Sequence, residues 1–332
     1  DKNLIPLTRP FFTEEKVRKI SDSIRDILLS GNLMMGKWTK DFENNFSRKV
    51  GSKFALTTNT GTTALQISLQ YYNIKGFDVL VPSGSFQTNI STIKWAGGNP
   101  ILVDMNPDTL SFCLQDLKRK ITTKTKGIVW VHVTGIISKE YKAIVEFAKS
   151  NNLFLLEDCA HAHGSSIDGF QAGHIGDVGC FSFYPSKVMT TGTGGMITTD
   201  DKMLAEYAMM MRLLGRNIKG PGVSLEGNDW FMDEIRACIG YYQLQDLGKH
   251  IKRRAKIASK YNNAFKKKNG IATIIMPPNS INSYYQYPII LDSGINRDEL
   301  AKTLKEKYKI SSKRIWLPTH QEEIFKDLIF DR

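Results

Sequence analysis

No stretch of the 332-residue sequence is apolar for long enough to cross a bilayer as a helix. The opening DKNLIPLTRPFF has no charged segment followed by an apolar core, which argues against a secretory leader. Cysteine is scarce. Cys113, Cys159, Cys180 and Cys238 are scattered, with no CxxC pair and no metal-like spacing. Reduced, buried thiols in a cytoplasmic protein are therefore expected, not a disulfide framework. No GxGxxG follows the first strand-like run, which argues against a nicotinamide enzyme. Internal repeats and low-complexity linkers are also missing. Zinc-finger, RNP-like and helix-turn-helix patterns are absent too, so no nucleic-acid partner is expected. The net charge of +12 is partly concentrated in His250–Lys268, HIKRRAKIASKYNNAFKKK, which reads as the solvated face of a helix. Such a balance steers phosphate-bearing substrates toward the protein.

What the sequence does have is alternation. Residues 14–30 carry Val17, Ile20, Ile24, Ile27 and Leu28 at helical spacing, and 39–50 carry Phe42, Phe46 and Val50. Seven short apolar runs follow: KFALTT (53–58), DVLVP (78–82), PILVD (100–104), GIVWVH (127–132), LFLLED (153–158), GCFSF (179–183) and GMITT (195–199). Helical segments separate most of them, so an α/β protein with a mostly parallel seven-stranded sheet is expected. The gap before GMITT is too short for a crossover helix, which predicts an antiparallel strand there. After residue 245 the pattern changes. A basic helix over 241–267, a strand at 284–291, a helix at 297–308 and a strand near 310–316 suggest a small βαβ-type unit. The expected division is a large domain over 1–245 and a small C-terminal domain over 246–332. Further C-terminal residues are expected beyond QEEIFKDLIFDR.

Three segments carry chemistry. In TTNTGTTAL (57–65) a strand runs through a Thr-Gly-Thr turn into a helix. Free amides at a helix N-terminus bind phosphate, although Gly and Thr also serve simply as caps at such turns. In LLEDCAHAHG (155–164) two acids end an apolar strand, where open α/β sheets bind ligands. Glu157 and Asp158 should point to opposite faces, one to the site and one to the scaffold. EDCAHAH lacks the geometry of a helix-borne metal motif, so no metal is expected. In FSFYPSK (181–187) one lysine stands between a strand and a Thr/Gly turn. A lysine, an acid and a phosphate cradle together are what pyridoxal 5′-phosphate requires: an imine partner, a partner for the pyridine nitrogen, and a phosphate cup.

These motifs, in this order, resemble the DegT/DnrJ/EryC1/StrS (sugar) aminotransferases of pyridoxal-phosphate fold type I. The likeness runs through IPLTRPFF, SGNLMMGKWTKDFENNFSRKVG, TNTGTTALQISL, VPSGSFQTN, VHVTG, EDCAHAHGSSIDGFQAGHIGDVGCFSFYPSK and GTGGMITTDD, and more loosely to the chain end. The resemblance implies that Lys187 forms the Schiff base, Asp158 pairs with the pyridine nitrogen and Phe86 stacks on the ring. It implies that Thr60, Gly61, Thr62 and Ser182 hold the phosphate. His161 stands where most members have Gln and would face the ring oxygen, to which a histidine can still donate. Thr193 stands where the family's glycine turn usually carries an acid. The asparagine that the family offers to the partner subunit's phosphate aligns with Asp229, next to Asn228, so either Asn228 takes that role or Asp229 does something else.

The resemblance further implies a cytoplasmic homodimer that moves an amino group from glutamate or glutamine to a keto or aldehyde group. The acceptor would be a nucleotide sugar, a cyclitol or a small phosphorylated polyol, in polysaccharide or secondary-metabolite biosynthesis. Lys187 argues against the sugar dehydratases of the family, which carry histidine there. A pyridoxal-phosphate-dependent dehydratase or lyase on the same fold, and a non-catalytic binding or regulatory protein, are the alternative readings.

Overall fold

Along Gly127–Val131 successive side chains go to opposite layers, Ile128 and Trp130 into one apolar cluster and Val129 and Val131 into another. Such period-two sorting without a polar face is what a sheet covered on both sides requires. The computed structural model describes residues 4–266 and 268–328. Its central sheet has seven strands: β1 (Phe54–Thr58), β2 (Asp78–Pro82), β3 (Asn99–Val103), β4 (Thr125–Val131), β5 (Phe154–Asp158), β6 (Val178–Ser182) and β7 (Gly195–Thr199). They lie in the order β1-β7-β6-β5-β4-β2-β3. Every neighbouring pair is parallel except those of β7, which runs antiparallel to both β1 and β6, as its short connection predicts.

Nine helices are described: α1 (Glu14–Ser30), α2 (Lys37–Val50), α3 (Gly61–Tyr71), α4 (Gln87–Trp95), α5 (Leu114–Arg119), α6 (Tyr141–Ser150), α7 (Lys202–Met211), α8 (Glu234–Phe265) and α9 (Arg297–Tyr308). Phe42 and Phe46 of α2, Ile144 of α6 and Leu247 of α8 fill the first cluster. Ile67 of α3, Ile90 of α4 and Leu204 of α7 fill the second. Full burial of each such side chain contributes roughly 1.5–3 kcal/mol.

Helix ends follow their caps. Thr13 accepts from the Lys16 amide at 3.2 Å to start α1, and Gly31 at φ 68° stops it. The N-terminus of α2 is closed by a distant residue. Buried Glu234, at the start of α8, accepts the amides of Gly36 (3.0 Å), Trp38 (2.8 Å) and Thr39 (2.9 Å). A carboxylate there also complements the helix dipole.

Departures from expectation concentrate after residue 233. α8 begins at Glu234, ahead of the predicted start, and the expected end at 267 lies outside the described residues. The predicted strand over 284–291 shrinks to β9 (Ile289–Leu291), which pairs antiparallel with β8 (Ile271–Thr273). Tyr284 sits at φ 48°, and Pro288 has no amide, so the tyrosine run cannot continue a ladder. Residues near 310–316 form no strand beyond the isolated bridge Ile5↔Ile310. The chain runs on to dock on Ser83, whose carbonyl accepts from the Thr319 amide at 2.9 Å. This corrects the βαβ reading: two antiparallel strands are followed by α9 and an extended strap. Three cysteines are buried as expected, but Cys113 is only half-buried.

Candidate active site

The carboxyl ends of β1, β5 and β6 converge, as open α/β sheets arrange for ligands. β5 delivers two acids to opposite sides. Buried Asp158 accepts from the Asn89 side chain (Oδ2, 2.8 Å) and from the Ala160 amide (Oδ1, 3.0 Å). A carboxylate has about four acceptor sites, so capacity remains for a further donor.

Glu157 faces the scaffold. Its oxygens accept the amides of Ile175 (2.7 Å), Gly176 (2.8 Å) and Gly173 (3.0 Å) and meet His132 Nε2 at 2.8 Å. His132, Glu157 and Cys159 present ligand atoms within 4.8 Å of one another. The carboxylate is already committed to three amides, and burial holds the Cys159 thiol well above its usual pKa. The chemistry of this trio is that of a loop anchor. Neither His161 nor His163 joins it, so the acid–histidine set suggested by EDCAHAH does not assemble. His163 lies between Phe181 and Phe183, and burial pushes its pKa down to about 3.

Lys187 follows a tight turn. Its amide donates to the Tyr184 carbonyl at 2.9 Å, with Pro185 at the position whose fixed φ suits such a turn. The turn opens a closed loop: Phe183 and Gly194 pair at 2.8 Å, and Thr191 and Phe183 at 3.1 Å. Burial pushes the Lys187 amine down to about 8, while the charge of Asp158 works in the opposite direction. Among the described residues the amine has no hydrogen-bond acceptor. It lies 4.7 Å from the centre of the Tyr285 ring.

α3 supplies an anion cradle. Thr60 caps the helix by accepting from the Thr63 amide at 3.0 Å, and the Ala64 amide returns to the Thr60 carbonyl at 3.2 Å. The amides of Gly61 and Thr62 are left without acceptors among the described residues. Ser182, at the end of β6, closes the cradle so tightly that a Cβ on Gly61 would lie 2.6 Å from the Ser182 Cβ. Only glycine lets the two elements approach this way. A phosphate fits this donor set.

Phe86 is the N-cap residue of α4, one turn before Asn89, and 45% of its surface is exposed. Its ring stands 6.4 Å from Trp316. His161 is buried between Tyr285 (4.1 Å, 27°) and Trp316 (5.3 Å, 30°). Its Nδ1 accepts from the Thr134 amide at 3.3 Å, which places the ring proton on Nε2. Burial, with the neighbouring charge of Lys187, holds its pKa well below the usual value, so the ring is neutral. His161 is therefore a hydrogen-bond donor at Nε2. Asn228 and Asp229 lie beside the α3 turn, with Asn59 donating to the Asp229 carbonyl at 3.4 Å. Both side chains are exposed, and Asn228 Oδ1 accepts from the Asp229 amide at 2.8 Å. Thr193 Oγ1 donates to the Asn59 carbonyl at 3.2 Å.

The structure thus brings together Thr60, Gly61, Thr62, Asp158, His161, Ser182 and Lys187, with Phe86 at the rim and Asn228–Asp229 on the outer side. Sequence reasoning did not find Asn89, Tyr285 and Trp316. The only signal for them was indirect: an Asn one turn after Phe86, and aromatics in a C-terminal region with no regular period.

A sheet of this strand order, with a lysine on the loop before its single antiparallel strand, defines the pyridoxal-phosphate-dependent transferase fold of type I. The chain belongs to the DegT/DnrJ/EryC1/StrS aminotransferase family, whose profile it matches over residues 14–331. It is 31% identical over 333 residues to the GDP-perosamine synthase of Escherichia coli O157:H7, covering 97% of this chain and 87% of that one. It is 30% identical over 343 residues to the dTDP-4-dehydro-2,3,6-trideoxy-D-glucose 4-aminotransferase of Saccharopolyspora spinosa, covering 97% and 86%. Among solved structures, a candidate sugar aminotransferase, Spr1654 of Streptococcus pneumoniae in its PLP form, superposes with a TM-score of 0.90 at 26% identity, covering 99% and 88%.

Proposed function

We propose that this protein is a pyridoxal-phosphate-dependent aminotransferase that transfers an amino group from glutamate or glutamine to a keto group of a nucleotide sugar. The observation that carries the reading is the Lys187 amine, which has a pKa of about 8 and no hydrogen-bond acceptor among the described residues, together with the Asp158 carboxylate and the open amides of Gly61 and Thr62. The names of the two relatives, a GDP-perosamine synthase and a dTDP-sugar 4-aminotransferase, both point to nucleotide-linked sugars and support the acceptor class.

In this reading the amides of Gly61 and Thr62, with Thr60 and Ser182, hold the phosphate. Asp158 takes the pyridine N–H, Phe86 covers one face of the ring, and His161 Nε2 donates to the ring oxygen. When bound, the cofactor supplies a carbonyl that exchanges amino groups and an electron sink for the adjacent carbon. Lys187 serves that chemistry as nucleophile and as proton carrier, and an amine near 8 is populated in both forms near neutral pH.

The functional unit is proposed to be a cytoplasmic homodimer, with a large domain over 1–245 and a small one over 246–332. Exposed Leu28, Leu29, Leu33 and Met34 around the end of α1 offer an apolar surface for the partner. Asn228, whose Nδ2 has no acceptor among the described residues, is the better candidate for the partner's phosphate. Asp229 would repel it.

A visible absorption spectrum tests the reading. The purified protein should be yellow, and glutamate or glutamine should bleach the band. Turnover retained by Lys187→Ala, or a protein that stays colourless after pyridoxal phosphate is added, would overturn it.

A further inference from the structure

The amine of Lys187 faces an aromatic ring rather than a carboxylate. Tyr285 contributes that ring from a segment about 100 residues further along the chain, and three contacts fix it. Its hydroxyl is 3.0 Å from Ser186 Oγ, the residue adjacent to Lys187. His161 stacks on its face at 4.1 Å. Arg254 holds the local backbone, donating to the Tyr284 carbonyl at 2.8 Å and the Tyr285 carbonyl at 3.4 Å. The ring is therefore a fixed wall, tied to the lysine's own turn on one side and to His161 on the other.

A carboxylate in that place would hold the amine by a charge-assisted hydrogen bond. It would lock the amine as an ammonium ion and occupy it. The negative face of an aromatic ring attracts the ammonium but takes no proton and asks for no directed N–H bond. The ring therefore favours the ammonium, yet the amine can give up its proton without breaking a directed bond.

We propose that Tyr285 is a positioning residue that holds the Lys187 amine, above all as the ammonium ion, through its ring face. The inference rests on the aminotransferase reading for its consequence in turnover, but not for its effect on the amine itself. The groups that act on the amine are Asp158 from β5, His161 and His163 from the segment after it, and Tyr285. Asp158 and the ring favour the ammonium. The two histidines are neutral, so the ring is the contact whose removal changes the balance without removing a charge.

The test uses the full-length chain without cofactor. Competitive acetylation with trace anhydride across pH, quantified on the Lys187 peptide by mass spectrometry, reads the titration of that one amine. In Tyr285→Leu the midpoint should fall by up to about one pH unit, because the ammonium loses the ring. In Tyr285→Phe, which keeps the ring and loses only the hydroxyl anchor, the midpoint should stay at the wild-type value. In the cofactor-loaded enzyme Tyr285→Leu should lower kcat about tenfold or more while leaving the KM of the amino donor within about twofold. An unchanged midpoint in Tyr285→Leu overturns the proposal. So does a midpoint in Tyr285→Phe that moves, since the hydroxyl and not the ring face would then be acting; this comparison stands even where the leucine variant fails to fold. A wild-type protein that shows the ring-dependent midpoint yet never binds pyridoxal phosphate would sink the aminotransferase reading and leave this one intact.

Discussion

Asn89 donates its side-chain amide to Oδ2 of Asp158 at 2.8 Å, with both residues buried. The bond joins α4 to the end of β5. It also links the rim residue Phe86 to the acid, because Phe86 caps the same helix one turn earlier.

Removing this bond should be felt in cofactor binding. A hydrogen bond to a charged group is worth about 1.5–3 kcal/mol. Asn89→Ala is expected to weaken pyridoxal-phosphate affinity by about tenfold or more, measured by fluorescence titration of the cofactor-free protein. Asn89→Asp should be worse, since it sets a second carboxylate against Asp158. Wild-type affinity in Asn89→Asp would show that Asp158 does not meet the cofactor.

Lys187 should weaken the protein that carries it. Its folded pKa of about 8 lies below the 10.5 of a solvent-exposed lysine, so the unfolded chain holds the extra proton between those two values. Below pH 8 both states are protonated, and the cost of burying the charge is felt in full. As pH rises from 8 toward 10.5 that cost disappears. Lys187→Met should therefore raise unfolding free energy by about 3 kcal/mol at pH 7, with the gain fading as pH rises past 8 and largely gone by about pH 10.5. Urea denaturation of the cofactor-free protein at both pH values reads the difference. A gain that persists undiminished at high pH would mean that packing, not charge, is responsible.

Glu157 should matter for folding and not through a metal. Glu157→Ala leaves the buried amide of Gly173 and the part-buried amides of Ile175 and Gly176 without this acceptor and should cost about 3 kcal/mol or more. A chelator should leave the wild-type melting temperature unchanged. A drop on chelation would turn the His132–Glu157–Cys159 group back into a metal centre.

The sheet was legible in the sequence because each of its strands is a self-contained apolar run with turn signals at its ends. Even the reversal of β7 followed from the length of one loop. Glu157 and Asp158 separated as strand alternation requires, and Lys187 announced itself by the turn in front of it. Asn89 and Tyr285 were not legible, because each acts through a contact with a residue far away in sequence. The tyrosine run at 284–287 looked like a strand since it is aromatic. Its backbone instead serves a side-chain partner, the Tyr284 amide donating to Asn282 Oδ1 at 2.8 Å, and the residue before it is tied to another loop, Ser283 Oγ donating to the His161 carbonyl and the Ser283 amide to Ser165 Oγ at 3.0 Å. Periodicity cannot report a segment whose partners are other loops.

The ring over Lys187 also sets an order of events during synthesis. The lysine emerges about 100 residues before Tyr285, and Asp158 and the phosphate turn emerge earlier still. At roughly 5–20 residues per second, the ribosome leaves the amine unwalled for about 5–20 s. A nascent chain can present every residue of the cofactor cup in that interval and still have no fixed place for its nucleophile.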